Sequence, residues 1–270
     1  MEFGAIHDKN KIREYLNKQD AGNFVYHCNN LEPPFWDQTQ WFGITENGTV
    51  QALAMLILRY ETPVLLAVTC RGLDRYQEEL LSQLNKLMPV TLYSHLDIGA
   101  GRFLDNGTRT TSRCGYYNMR LIDASRVENK DTAGVIQLSD EDGAAVLRLL
   151  NESHPDHLFD REFLEAGYFW GIKQGEALIS LAGVTAFSRE YDLISIGNVT
   201  THPAFRRQGL ATKTVAALIR HLLPSFGRIV LNVKQNNSAA IGCYRDLGFG
   251  EIGCFDEVMF SPIRQDDVCK

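Results

Sequence analysis

The chain is short of most features that would take it out of the ordinary globular classes. Its longest strictly apolar run, Ala52–Leu58, falls far short of the roughly 18 residues a membrane-spanning helix needs. The opening segment, MEFGAIHDKNKIREYL, carries no apolar stretch of the secretory kind. Its six cysteines include no C-x-x-C pair, so neither a disulfide framework nor a zinc site is indicated. The expectation is a reduced, cytoplasmic protein without metal, membrane or nucleic-acid partners. N-x-[ST] triplets such as Asn47-Gly48-Thr49 and Asn198-Val199-Thr200 then read as turn and strand residues, and Asn106-Gly107 as a turn.

What is scarce in one region is more informative. Net charge is −6, yet no Asp or Glu occurs between Leu193 and Arg245. The same stretch holds Arg206, Arg207, Lys213, Arg220, Arg228, Lys234 and Arg245. A positive segment inside an acidic protein suggests one discrete anionic ligand.

At 270 residues the chain suits about two domains, and it contains two versions of one pattern. Trp41-Phe42-Gly43-Ile44-Thr45-Glu46-Asn47-Gly48 reads as a strand entering an Asn-Gly turn. Phe169-Trp170-Gly171-Ile172-Lys173-Gln174-Gly175 repeats it 128 residues later. Apolar strands follow each (Val50–Arg59 and Val64–Thr69; Ala177–Phe187 and Leu193–Thr201), then a helix-length segment and a further strand (Val90–Ser94; Ile229–Val233). Tyr116–Leu121 and Glu257–Phe260 read as closing strands, and Ile122–Gly134 as a linker. Val135–Leu138 is a short strand, and Ser139 offers an N-cap to the helix after it. These alternations predict two α/β domains, residues 1–124 and 133–270, each a twisted mixed sheet flanked by helices.

The most informative stretch is Val199-Thr200-Thr201-His202-Pro203-Ala204-Phe205-Arg206-Arg207-Gln208-Gly209-Leu210-Ala211-Thr212. A strand ends at Pro203, and an Arg-rich turn runs into an amphipathic helix expected from Gly209 to Leu223. Unpaired N–H groups and the helix dipole make that end attractive to a phosphate, and small residues allow close approach. One strand later, Asn237 opens another helix, which carries Cys243 and Tyr244 and closes at Leu247-Gly248-Phe249.

The R-x-x-G-x-A turn followed by Asn-x-x-Ala-x-x-x-Tyr and Leu-Gly-Phe resembles the GNAT superfamily of acyl-CoA-dependent N-acyltransferases, in particular its glycine N-acyltransferase-like branch. The resemblance covers about residues 133–261. The first half is similar only in layout, as a degenerate GNAT-like domain in which Gly72-Leu73-Asp74 puts an acid at the turn. The resemblance implies acetyl-CoA as acyl donor and the amine of a small molecule or amino acid as acceptor. Val199, Thr200 and Thr201 would offer backbone groups to pantetheine, with the Val199 N–H polarising the thioester. Arg206, Arg207, Gln208, Gly209, Leu210, Ala211 and Thr212 would hold the diphosphate. Asn237 would bind the pantetheine or diphosphate arm, and Tyr244 would face the departing sulfur. The strand of Val199 would splay from that of Leu231 to admit the pantetheine.

Neutralising an amine of pKa about 10 at pH 7 costs roughly 4 kcal/mol, so something must take that proton. Ser195 stands where family members often carry a Glu, leaving Asp192, Glu190, Glu165, His154 and Asp156 as alternatives. His202 reads as a surface residue, Cys243 as packing, and His154-Pro155-Asp156-His157 as no metal site. A module that binds acyl-CoA without turning it over is the rival reading.

Overall fold

Each aromatic-Gly-Ile segment forms the first strand of a hairpin, and the two hairpins match residue for residue. In the computed structural model, which describes residues 1–19, 24–69, 72–105, 109–155 and 157–263, β2 (Thr39–Glu46) pairs with β3 (Thr49–Ile57). β8 (Trp170–Gln174) pairs in the same way with β9 (Ala177–Ser188). The register shifts between Ile44 and Thr45 in one and between Ile172 and Lys173 in the other. Gly43 and Gly171 are equivalent too: a Cβ on either would stand 2.9 Å from a backbone oxygen, of Ala52 or Ser180 respectively. Only glycine tolerates that approach, so the shared Gly is a packing requirement. Asn106-Gly107 lies outside the described residues.

By internal packing the chain forms two units: Met1–Asn118 with Lys234–Asn236 and Ile252–Lys270, and Met119–Val233 with Asn237–Glu251. In unit 1 the neighbouring strands run β1 (Glu2–Ala5), β2, β3, β4 (Val64–Ala67), β5 (Leu92–Leu96). In unit 2 they run β7 (Val135–Gln137), β8, β9, β10 (Leu193–Thr201), β11 (Arg228–Lys234). β4–β5 and β10–β11 are parallel, and the other ladders in both units are antiparallel. Each unit is therefore a mixed sheet of the expected α/β kind. Its parallel pair is joined by a crossover helix, α3 (Arg75–Leu84) in unit 1 and α7 (Leu210–Leu222) in unit 2. α1 (Lys9–Asn17) and α2 (Val25–Asn29) precede the hairpin of unit 1, and α5 (Gly143–Ser153) and α6 (Arg161–Glu165) precede that of unit 2. Ser139 does cap, but its capping box opens a short 3-10 turn, Asp140–Asp142, before α5 begins.

The closing strands are longer than their apolar patterns suggest: β6 spans Arg109–Leu121 and β12 spans Phe249–Pro262. β12 leaves unit 2 after Glu251 and ends in unit 1, where Asp256–Phe260 pair antiparallel with β5. The segment 122–134 is strapped to unit 2 and carries α4 (Ser125–Glu128). Arg220 of α7 donates to the carbonyls of Val127, Glu128 and Lys130 and to the Thr132 hydroxyl.

α7 is held rigidly. Val215, Leu218, Ile219 and Leu222 are fully buried, each contributing about 1.5–3 kcal/mol relative to exposure, and this fixes where its N-terminus points. No helix among the described residues is long and apolar enough to cross a membrane.

Candidate functional site

β10 and β11 pair from Leu193↔Arg228 to Ile196↔Leu231 and no further, so Gly197–Thr201 run on without that neighbour. On the other side, the β10–β9 ladder is interrupted between Gly197↔Gly183 and Thr200↔Leu181. Asn198 and Val199 thus face a single residue, Ala182, in a bulge. Asn198 takes a left-handed φ of 51°, a conformation asparagine tolerates better than branched residues. Its Nδ2 donates to the Leu158 carbonyl at 2.9 Å, tying the loop before α6 to the bulge. Such a bulge re-aims the strand and interrupts the ladder, and here it takes Asn198 and Val199 out of the regular register. The sequence pattern places Asn198 in a strand without marking the bulge, although a glycine within a strand, here Gly197, is a bulge signal.

Beyond Thr201 the chain makes a 3-10 turn, Pro203–Phe205, which His202 caps by accepting the Ala204 N–H at Nδ1, 3.2 Å away. Its Nε2 lies 3.8 Å from Glu152. Arg207 (φ 64°) and Gly209 (φ 73°) are both left-handed. Residues of this kind set between right-handed or extended neighbours turn successive N–H groups inward to form a nest. Gly209 is the N-cap of α7, so no side chain caps the helix, and the space a Cβ would occupy there is open. The first helical bond is Lys213 N–H to the Gly209 carbonyl. The amides of Gly209 to Thr212 are therefore presented outward on an exposed turn.

The positive segment resolves into separate duties. Lys213 pairs with Asp131 at 2.5 Å, Arg245 with Glu251, and Arg228 donates to the Tyr191 carbonyl. Arg220 is spent on the strap, and Lys234 is engaged as well. Arg206 Nε folds back onto the Thr201 carbonyl at 3.1 Å. Arg207 and Gln208 stand exposed at the turn. The anion-attracting charge is thus narrower than the composition suggests, and the backbone nest carries more of it.

The other predicted residues have part of their bonding capacity in use. The Thr201 hydroxyl meets Ser180 Oγ at 2.9 Å, and Ser180 also donates to the Thr200 carbonyl. Asn237 Oδ1 accepts the Ala240 N–H as the N-cap of α8 (Ser238–Asp246), so its Nδ2 is the group it offers a ligand. Thr212 Oγ1 is 3.2 Å from Cys243 Sγ, which joins the start of α7 to α8. Burial pushes the Cys243 thiol up. Leu210 and Ala211 are partly buried at the base of the turn. Tyr244 is 7% exposed, its ring set edge-on to Phe249 at 6.0 Å. Burial raises its pKa well above the ordinary tyrosine value.

The possible bases separate by position. Asp192 precedes β10 at the end away from Val199, about 20 Å along the strand, and accepts the Gly227 N–H at 2.7 Å. Glu190 belongs to the same turn. Glu165 pairs with Arg161, and His154 ends α5. Asp156 lies outside the described residues. Ser195 is buried beside Thr185 and supplies no carboxylate. No grouping of His, Cys, Asp and Glu able to hold a metal occurs among the described residues.

Unit 1 treats the same place differently. Its α3 is capped by Asp74, whose carboxylate accepts the Tyr76 and Gln77 N–H groups. β4 is paired along its whole length with β5. Past its end, Asp97 accepts from both the N–H and the hydroxyl of Thr69, at 3.0 and 3.1 Å. Burial raises the Asp97 carboxyl to about 6. Two carboxylates thus stand where unit 2 has a nest and a parting of strands.

Residues 135–249 match the model of the acetyltransferase (GNAT) family. Over 107 residues the chain is 31% identical to the N-alpha-acetyltransferase RimI of Mycobacterium tuberculosis. That match takes in 37% of this chain and 63% of the relative, and a second curated relative, from Mycobacterium leprae, is spanned over 28% of its length. Among solved structures, a Drosophila protein superposes with a TM-score of 0.65 at 14% identity, over 94% of this chain and 87% of the other. A tandem GNAT protein from the clavulanic acid biosynthesis pathway gives 0.57 at 16%, over 97% and 98%. Those structural likenesses establish the fold. The stretch that matches the acetyltransferase (GNAT) family, residues 135–249, thus lies almost wholly in unit 2.

Proposed function

We propose that this protein is an N-acetyltransferase in which unit 2 binds acetyl-CoA and transfers its acetyl group directly to a primary amine. The observation that carries this reading is the parting of β10 from β11 directly before an uncapped helix N-terminus. An exposed strand edge accepts an extended amide-bearing chain as it would another strand, and pantetheine is such a chain. The nest at Arg207–Thr212 takes the diphosphate at its far end. That acetyl-CoA is the donor, and that the chain falls in the glycine N-acyltransferase-like branch, belong to this proposal. So does a cytoplasmic setting.

The acetyl thioester supplies the activated carbonyl. Val199, off the ladder in its bulge, directs its N–H at that oxygen. The amine nitrogen bonds to the carbonyl carbon as the carbon–sulfur bond breaks, and the amine's extra proton passes to solvent or a nearby base. Tyr244 donates a hydrogen bond to the leaving sulfur. Burial raises its pKa, so full proton transfer to a thiolate of pKa about 8.5 is uphill by at least about 2 kcal/mol. Its role is accordingly stabilisation of the thiolate, and the thiolate takes its final proton from water.

Unit 1 is proposed as a tandem copy that keeps the sheet and gives up the cofactor. Its matching hairpin and strand order support the common plan. Asp74 and Asp97, at the helix end and the strand gap, would repel a diphosphate there.

The test is thiol release from acetyl-CoA over a panel of amino acids, small amines and a peptide with a free N-terminus. Release that depends on one amine supports the reading. Binding of acetyl-CoA with no release over the panel contradicts catalysis and leaves an acyl-CoA-binding module.

A further inference from the structure

Between the end of β10 and the start of α7 the chain gains little from burial. Apart from Phe205, which is half-buried, residues 203 to 209 are exposed. The 3-10 turn that leads into the nest is therefore fixed by hydrogen bonds, and His202 makes several of them. Its N–H donates to the Ile179 carbonyl of β9 at 2.9 Å, and its carbonyl accepts the Phe205 N–H at 2.9 Å. Its ring lies 5.6 Å from that of Phe205. Pro203 has no N–H, so the first orphan donor of the turn belongs to Ala204, and His202 Nδ1 takes it. Arg206 adds its Nε on the Thr201 carbonyl and a long bond of 3.4 Å from its N–H to the Pro203 carbonyl.

The Ala204 N–H can only donate, so Nδ1 is bare and the imidazole hydrogen sits on Nε2, which faces the Glu152 carboxylate of α5 at 3.8 Å. In this tautomer the ring is uncharged. Elsewhere the chain gives the same duty, accepting the N–H two residues on, to aspartate: Asp8 for Asn10, Asp74 for Tyr76 and Asp131 for Ala133. A carboxylate at 202 would set a negative charge beside a site for a diphosphate, whereas an imidazole accepts the bond without charge. A proton on Nδ1 abolishes that bond, because an imidazolium has two donors and no acceptor, and imidazoles gain this proton between pH 5 and 8. The charged groups beside the ring are Glu152, which favours the cation, and Arg206 on the neighbouring Thr201 carbonyl, which opposes it.

We propose that His202, oriented by Glu152, is a positioning residue for the donor: as a neutral imidazole it holds the turn that aims the Arg207–Thr212 amides at the diphosphate. This rests on the acetyl-CoA site proposed above. His202 acts through the turn and not by touching the donor, so protonation weakens donor binding. A cation that merely attracted the diphosphate would have the opposite sign.

The test is calorimetric titration of the full chain with dephospho-coenzyme A at pH 7.5 and at pH 5.5. That probe keeps the diphosphate and lacks the phosphate monoester of coenzyme A, which would itself titrate at about pH 6. Affinity for the native chain should fall about threefold to tenfold on going to pH 5.5, the worth of a lost cap. His202→Ala should weaken binding by a similar factor at pH 7.5 and remove the pH dependence. His202→Asn, whose Oδ1 takes the place of Nδ1 and does not titrate, should restore affinity to within about twofold of the native pH 7.5 value at both pH values. Glu152→Gln should move the native fall to lower pH, and an unmoved fall removes Glu152 from the assignment. Affinity that is flat or rises toward pH 5.5 overturns the role of His202. So does an alanine variant that matches the native chain, or an asparagine variant that keeps its pH dependence. No binding by the native chain at pH 7.5 contradicts the donor site itself, and this assignment with it; binding without these effects overturns the assignment alone.

Discussion

In the proposed reaction, Tyr244 stabilises the leaving sulfur and Arg207 helps to anchor the donor. Tyr244→Phe removes a hydrogen bond formed only as the sulfur departs, so kcat should fall roughly 10- to 100-fold while KM for acetyl-CoA stays within about twofold. Initial-rate kinetics check this, and an unchanged kcat would strip Tyr244 of its role. Arg207 is exposed at the turn in a left-handed conformation. Arg207→Glu should weaken coenzyme A by about tenfold or more and leave pantetheine, which lacks the diphosphate, unaffected. Equal losses for both in calorimetry would argue against a diphosphate contact. Asp97 gives a pH prediction. Its folded-state pKa of about 6 lies above the unfolded value of 3.8, so the native state binds the extra proton between those values. Stability from this group is then present at low pH and lost as pH rises through about 4 to 6, on the order of 2–3 kcal/mol. Asp97→Asn should gain stability relative to the native chain between pH 5 and 7.5 in denaturant melts. A constant difference would refute that assignment.

The strands and helices around β10 supply what single residues cannot. The bulge at Asn198 needs a left-handed residue, and the Asn198 amide also holds the Leu158 carbonyl. Asn198→Gly keeps the backbone freedom and loses the amide. Asn198→Ala loses both, with a strain of about 1–2 kcal/mol. The glycine variant should therefore keep acetyl-CoA affinity and raise KM for the acceptor severalfold, whereas the alanine variant should lose donor affinity as well. Identical behaviour of the two would separate the bulge from donor binding. The nest was legible in the sequence because it is local: Arg206, Arg207, Gly209 and Ala211 are close neighbours, and Pro203 marks where the strand stops. The parting of β10 from β11 was expected only through resemblance, since apolar patterning says that Leu193–Thr201 is a strand and not where its partner leaves it. The division of labour among Lys213, Arg220 and Arg245 could not be read from charge, because their partners Asp131, Val127 and Glu251 are fixed by tertiary packing.

Across the whole chain, one plan is used twice with different endings. The shared hairpin register, the close approach at Gly43 and Gly171, and the same strand order make the 128-residue repeat a structural fact as well as a sequence pattern. The exit of β12 into unit 1 was not legible, because a strand's alternation does not name its partner. Unit 2 opens its parallel pair and leaves its helix uncapped; unit 1 closes the one with Asp97 and caps the other with Asp74. The account thus predicts one donor molecule per chain. The most direct measurement is a crystal structure with coenzyme A bound. It should place the diphosphate within about 3 Å of the amides of Gly209 to Thr212, with pantetheine between β10 and β11 and no coenzyme A in unit 1. Coenzyme A bound away from that turn, or β10 zipped to β11 through Thr201 in the complex, would contradict it.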